Sequence, residues 1–364
     1  MKTRNFIAVF AVFMIAIMLG GCNAPINVNT STDRADMVEQ YLEASVTVIA
    51  KGSYNSTGSG IAIHSGGYIA TNYHVVDDVI ENPETGTVSI EKIVDGQFKS
   101  YDATILWYNE DFDLAVIRSS YRNIPYVKME DRWIDSANPL RYTEEVWALG
   151  TPIHRSLYGT YSQGYISCAK PNLPRISQES GSGRIYEHLI QHTAAISSGS
   201  SGGGLFDAEG NLLGLNSLSV VSGSGTANDL YFATPIYPLI NIISEIAELH
   251  EDGDPDTNYR FPSINAEFVD RETDDYESFT KLGVLIESVD LFGVSFNKLL
   301  EDDIIVGIRG VDIDSKYYEV NLRNDFLYAL SNFQQGEAVK ITVLRKDIEE
   351  VVTICLGIDE AFWV

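Results

Sequence analysis

Three stretches of this 364-residue chain carry residue types that could do chemistry together. The first is Gln191-His-Thr-Ala-Ala-Ile-Ser-Ser-Gly-Ser-Ser-Gly-Gly-Gly-Leu205, which contains the turn Gly199-Ser-Ser-Gly-Gly203. Glycine reaches backbone conformations closed to other residues, so such a turn can aim successive N–H groups at one point. Stabilising a developing oxyanion requires that arrangement. Ser201 is the serine best placed to act as nucleophile, with the N–H groups of Gly199 and Ser201 as oxyanion donors. A flexible Gly/Ser linker would have the same composition. The flanks speak against it. Thr193–Ile196 and Leu212-Leu-Gly-Leu215 read as buried apolar strands, and Asp207–Asn211 as a hairpin turn.

A serine nucleophile needs a base, and the base needs a group to orient it. In Gly58–Val76, two alternating runs flank a Ser65-Gly-Gly67 turn, and His74 follows a Thr-Asn pair just beyond that hairpin. The chain has 6 histidines, and the other five sit in no comparable setting. His192 is the nearest competitor and reads as packed or exposed. The third stretch is Asp111-Phe-Asp-Leu-Ala-Val-Ile-Arg118, where an acid enters an apolar β-run. On the residues alone, Asp111 and Asp113 are equal candidates. Acyl transfer by these groups needs neither metal nor cofactor.

The elements that must position them follow from pattern. From Ser45-Val-Thr-Val-Ile-Ala50 to Ile236 the chain reads as many short strands separated by turns, which suggests an all-β sandwich or barrel. Asp33–Leu42 has helical spacing with Met37, Tyr41 and Leu42 on one side, and Ile236–Leu249 is an amphipathic helix. A chain of this length usually folds as two domains. The acidic stretch 250–259, with Gly253 and Pro255, reads as the linker between residues 34–249 and 260–358. In the second part, Lys281–Val289, Asp302–Gly310 and Ala338–Arg345 read as strands and Leu322–Asn332 as a helix. A formal charge of −26 argues against a nucleic-acid partner, whose phosphates need a basic surface. Anionic lipid headgroups would also repel it. The 3 cysteines are too few for a disulfide-rich domain, and Cys168 and Cys355 fall in different expected domains.

The order His74, Asp113, Ser201 is that of the chymotrypsin type. With Thr71-Asn-Tyr-His-Val75, Asp113-Leu-Ala-Val-Ile117, Ala148-Leu-Gly-Thr-Pro152, Gly199-Ser-Ser-Gly-Gly203 and Tyr231-Phe-Ala-Thr-Pro235 in sequence, residues 40–245 resemble the HtrA (DegP-like) trypsin-fold serine proteases. The resemblance implies a mainly β fold, a chymotrypsin-like double β-barrel with the active site in the cleft between barrels. It favours Asp113 over Asp111, because the family's aspartate leads into Leu-Ala-Val-Ile. It also implies pocket walls at Ala195, Asn216, Ser217, Leu218 and Ser219, with Phe232 either limiting the pocket's depth or packing in the core. Ala195 stands where trypsin has its acidic specificity residue, so the implied pocket is neutral. Thr193, Ser197-Ser198 and Ser200 depart from the family's Asp, Asn-Pro and Asn, and no triad member or oxyanion donor is lost.

Residues 260–358 resemble the small α+β PDZ domain attached to such proteases. Asp303-Ile-Ile-Val and Arg309-Gly310 match its Gly-Asp-Ile-Ile…Asn-Gly segment, with Asp302 in place of the first Gly. The peptide-carboxylate loop corresponds to Phe261-Pro-Ser-Ile264. There Pro262 has no N–H and Ser263 replaces a glycine, so peptide capture is an open question. At the other end, Lys2 and Arg4 precede the apolar run Phe6–Leu19, a signal peptide over residues 1–21. Leu19-Gly-Gly-Cys22 resembles the bacterial lipobox, which implies lipid on Cys22 and a tether over residues 22–33. The apolar run is short for a spanning helix.

The expectation is therefore an extracytoplasmic, lipid-anchored serine endopeptidase of the bacterial envelope, acting on unfolded or damaged polypeptides. A homo-trimer and a monomer are both open. The alternative is a non-catalytic peptide-binding or envelope-sensing protein on the same scaffold.

Overall fold

Short alternating runs joined by tight turns pair with their neighbours in space, and sheets built that way close on themselves when the strands coil. The computed structural model describes residues 34–358 apart from 111, 133–137, 152–156, 169–175, 178–184, 187–188, 221–229, 250–261, 271–282, 291–292, 313, 322 and 335. The expected signal peptide, the tether with Cys22 and the acidic linker lie outside the described residues.

Helix α1 (Arg34–Ala44) leads into β1 (Ser45–Lys51), β2 (Asn55–His64) and β3 (Tyr68–Thr71). Helix α2 (Tyr73–Glu81) follows, then β4 (Thr87–Val94), β5 (Gln97–Asn109) and β6 (Leu114–Ser119). These strands form a closed barrel in the order β1-β2-β3-β6-β5-β4. The second set is β7 (Glu145–Gly150), β8 (Thr160–Cys168), the two-residue strands β9 (Ile176–Ser177) and β10 (Ile185–Tyr186), β11 (Ile190–His192), β12 (Gly204–Asp207), β13 (Leu212–Val220) and β14 (Leu230–Pro235). Six of them close a second barrel, β11-β14-β13-β12-β7-β8, while β9 and β10 pair with each other. Helix α3 (Tyr237–Leu249) packs Leu239, Ile242, Ile243 and Ile246 into the core. Each such burial contributes about 1.5–3 kcal/mol relative to exposure.

Residues 262–358 build a separate sheet. Strands β15 (Pro262–Ser263), β16 (Ala266–Asp270), β17 (Val284–Val289), β18 (Ile304–Gly310) and β19 (Tyr317–Glu319) precede helix α4 (Arg323–Leu330). Then come β20 (Ala338–Arg345), β21 (Ile348–Cys355) and β22 (Gly357–Ile358). The main sheet runs β16-β17-β18-β20-β21, with β19 beside β18 and β15 paired separately with β22. This α+β arrangement is consistent with the expected PDZ-like domain. Tyr328 of α4 reaches back to the segments around the barrels. The Tyr328 hydroxyl donates to Asp131 Oδ2 at 2.9 Å, and the Tyr328 ring meets Tyr237 edge-on.

One strand expectation fails. Thr193–Ile196 is irregular, and the strand before it is Ile190–His192. Thr193 N–H still donates to Tyr165 O at 3.0 Å, but from there the chain leaves the ladder, with Thr193 and Ala195 exposed. His192 is packed, 1% exposed, and its ring stacks on Tyr231. Burial pushes its imidazole down to about 3, with the Ala194 backbone opposing. Among the described residues, neither ring nitrogen has a hydrogen bond of ordinary geometry.

The sign of the resulting pH dependence is fixed. Below its ordinary value near 6.5 the unfolded chain takes up a proton that the folded chain refuses, so stability falls with pH from that point down toward 3. Between pH 7 and pH 5 the loss from this residue is about 2 kcal/mol. Urea unfolding at the two pH values should show it, and His192→Gln should remove that share. An equal pH-dependent loss in the variant would contradict the assignment.

Candidate active site

The three chemically capable residues come from the ends of strands in both barrels. β2 and β3 form the expected hairpin, and the chain turns at Asn72 into helix α2, so His74 sits in that helix's first turn. The first N–H groups of a helix lack partners within it. Here the His74 N–H donates to Asp113 Oδ1 at 3.1 Å. Asn72 occupies the cap position, but its side chain reaches across instead, donating Nδ2 to the Asp113 carbonyl at 2.9 Å.

Asp113 closes a turn immediately before β6. Its N–H donates to Glu110 O at 3.0 Å, and its φ is +50°. Few residues other than glycine adopt that region, and aspartate is among those that do. The turn delivers a 3% exposed carboxylate to His74, whose Nδ1 lies 2.9 Å from both Oδ1 and Oδ2. A proton on Nδ1 satisfies the carboxylate and leaves Nε2 as the acceptor. The rival Asp111 lies outside the described residues.

Ser201 lies just ahead of β12. Ser200 N–H donates to Ser197 O at 2.9 Å, closing a four-residue turn whose third residue, Gly199, has φ +88°. That is the type II pattern, which demands glycine there. Gly203 N–H donates to Ser200 O, and Gly202 N–H to Asn216 O. Among the described residues, neither the Gly199 N–H nor the Ser201 N–H is taken by a carbonyl. The next glycine is required by crowding as well as by its φ of +84°. A Cβ at Gly202 would lie 2.1 Å from Ser59 O.

Ser217 ties the parts together. Its hydroxyl donates to Asp113 Oδ2 at 2.9 Å, and its carbonyl accepts the Ser201 hydroxyl at 2.9 Å. The residues expected to wall the pocket differ in exposure. Ser217 is buried, and its side chain serves the Asp113 carboxylate. Asn216 is fully buried and donates Nδ2 to Gly204 O. Phe232 is a fully buried core residue of β14, so it presents no surface to a ligand. Ala195 is exposed, with its carbonyl accepting from Ser162 Oγ. Leu218 and Ser219 lie on β13, and their side chains are outside the described set.

In the second sheet, Pro262 and Ser263 pair with Ile358 and Gly357, and Ser263 Oγ accepts the Asn265 N–H at 2.9 Å. Ile264 is fully buried, while Phe261 is outside the described residues. Among the described residues, no group of His, Cys, Asp and Glu could hold a metal ion.

Two closed six-stranded barrels carrying His74 and Asp113 on one and Ser201 on the other define a chymotrypsin-like fold. Residues 58–215 match the trypsin-like peptidase domain family. The chain is similar to probable periplasmic DegP-like serine endoproteases of Chlamydia pneumoniae (29% identity, covering 79% of this chain and 54% of the relative) and Chlamydia muridarum (30%, 82% and 53%). It thus spans about half the length of the curated relatives it matches. Among solved structures, the HtrA-type protease AlgW with decapeptide aligns with TM-score 0.59 at 20% identity, over 90% of this chain and 99% of that one. The serine endoprotease from Yersinia pestis aligns with TM-score 0.57 at 20% identity, over 90% and 99%. These structural likenesses concern the fold.

Proposed function

We propose that this chain is an HtrA-type serine endopeptidase that cleaves unfolded or damaged polypeptides outside the cytoplasm. The observation that carries the reading is the continuous contact chain His74–Asp113–Ser217–Ser201 across the two barrels. Ser201 Oγ attacks the scissile carbonyl, and His74 Nε2 takes its proton and then delivers it to the leaving amine. In the geometry described above, the Ser201 hydroxyl rests on the Ser217 carbonyl, so it swings to Nε2 before attack. Asp113 fixes the tautomer and stabilises the imidazolium. The Gly199 and Ser201 N–H groups hold the oxyanion, a contribution of a few kcal/mol in sites of this kind.

The pocket reading rests on the neutral Ala195 and takes small or medium apolar residues on the acyl side. Burying an unpaired Arg or Lys opposite it would cost several kcal/mol. Wild-type protein should label with a fluorophosphonate probe, and its casein digest should be poor in cleavage after Lys or Arg. No labelling of folded protein would overturn the reading, and a digest dominated by basic residues would overturn the pocket. The C-terminal sheet is given no carboxylate-capturing role, because Pro262 lacks an N–H and Ser263 pairs with Gly357.

The reading places the chain in a bacterial envelope, held by lipid on Cys22. Two acyl chains anchor stably where one holds only marginally. Cys22→Ser should move the protein to the soluble fraction or leave its precursor uncleaved. Normal processing with unchanged membrane retention would count against lipidation.

A further inference from the structure

The geometry points to Ser59 as a positioning residue that holds the oxyanion turn through its side chain. This inference rests on the endopeptidase reading and deepens it. Ser59 belongs to β2 of the first barrel, is 1% exposed, and touches the nucleophile loop twice. Its N–H donates to Ser201 O at 2.7 Å. Its hydroxyl donates to Gly199 O at 2.8 Å and accepts the Thr151 N–H at 2.8 Å. Its own carbonyl accepts the Thr71 hydroxyl at 2.8 Å, which fixes this part of β2 from behind.

A serine hydroxyl has one proton to give, and here it goes to Gly199 O. That carbonyl shares a peptide plane with the Ser200 N–H, which is held on Ser197 O. Both ends of the Gly199–Ser200 peptide are therefore fixed, one by Ser59 and one by the turn itself. Glycine at φ +88° has no Cβ to resist rotation, so the external bond at its carbonyl supplies the restraint that the residue lacks. Holding that plane restrains the Gly199 φ and ψ, through which the N–H of Gly199 in the preceding peptide is oriented, and it keeps Ser201 in place on the other side. The Thr151 contact matters for the same reason. It aims the Ser59 hydroxyl from the loop after β7 in the second barrel, so one side chain joins both barrels to the turn.

Removing the hydroxyl leaves the substrate-binding surface intact and loosens a group used in the transition state. An interaction made only in the transition state shows in kcat rather than KM. Displacing catalytic groups by an ångström can cost about 100-fold, which sets the expected size of the effect.

The test uses the full chain with a tripeptide p-nitroanilide that has alanine on the acyl side, and the matching peptide aldehyde, which binds as a hemiacetal oxyanion. Ser59→Ala should lower kcat by about 100-fold with KM nearly unchanged, and weaken the aldehyde by a similar factor. Ser59→Thr keeps the hydroxyl and should restore both parameters to within about threefold of wild type. If Ser59→Ala does not fold, Ser59→Cys, close in size and a weaker donor, reads the same parameters. A kcat within about threefold of wild type in the folded Ala or Cys variant, or a rise in KM alone, would overturn the inference. Fluorophosphonate labelling separates the two levels. If folded wild type does not label, the endopeptidase reading falls and this one with it. If wild type and Ser59→Ala label at the same rate, only the role of Ser59 falls.

Discussion

Ser201→Ala should abolish peptide-bond hydrolysis, with kcat falling by about 10⁶-fold. Only the nucleophilic oxygen is lost. The alanine keeps its N–H, and Gly199 keeps its own, so both oxyanion donors survive and some catalysis over water should remain. The turn should survive too, because its bonds run through the backbone of Ser197, Ser200, Gly202 and Gly203 rather than through the Ser201 side chain. The deleted hydroxyl made one bond, to Ser217 O at 2.9 Å. Losing it should change stability by about 1 kcal/mol. Casein hydrolysis and thermal unfolding of the two proteins, measured side by side, check both halves. Digestion by the variant at the wild-type rate would sink the assignment of Ser201. A variant that had lost both activity and its folded baseline would show that the hydroxyl is structural.

Local signals marked Ser201 and His74, and they left Asp111 and Asp113 level until the family resemblance favoured Asp113. The glycine turn at Gly199–Gly203, the hairpin before His74 and the apolar run after Asp113 are each contained in a few residues. Strand and turn patterns pointed to an all-β sandwich or barrel, and the resemblance narrowed that to the two closed barrels observed. What stayed hidden depends on chain segments far apart in sequence. Ser217 meets Asp113 across 104 positions, and Ser59 meets Gly199 across 140, so no spacing rule within either segment pointed to them. Side-chain burial at the expected pocket was not legible either. Position in a family pattern says where a residue lies along a strand, whereas the burial of Asn216 and Phe232 is set by barrel closure. Helix α2 and strand β21 were among the elements missed, for local reasons. Helix α2 carries Val75, Val76 and Val79 at helical spacing, but it is short and follows directly on a strand. Strand β21 is mostly exposed, and the turn before it uses Lys346 and Asp347, both at positive φ, without the Asn-Gly pair that marks such hairpins.

Asp113→Asn should lower kcat on the order of 10⁴-fold while leaving the fold in place. The argument is a count of donors and acceptors. The carboxylate receives the His74 N–H on Oδ1, His74 Nδ1 on both oxygens, and the Ser217 hydroxyl on Oδ2. An amide offers one accepting oxygen and one donating NH₂ group. Placing the NH₂ at the Oδ1 position sets it against the His74 backbone N–H, donor against donor, in a buried site. The opposite orientation keeps that helix-capping bond and is favoured. It turns the NH₂ toward His74 Nδ1 and Ser217 Oγ, and the Ser217 hydroxyl can rotate to accept. His74 Nδ1 then accepts a hydrogen bond instead of donating one. The neutral ring carries its hydrogen on Nε2, the atom that has to receive the Ser201 proton. The base is thus disabled by tautomer while every side chain keeps its place. Nitrogen chemical shifts of the His74 ring report which nitrogen is protonated, and they should exchange between wild type and variant in step with the loss of kcat. Activity within about tenfold of wild type, with the ring tautomer unchanged, would show that another acid orients His74. Asp111 would then be the residue to mutate next, since it is the rival acid two positions upstream in the sequence.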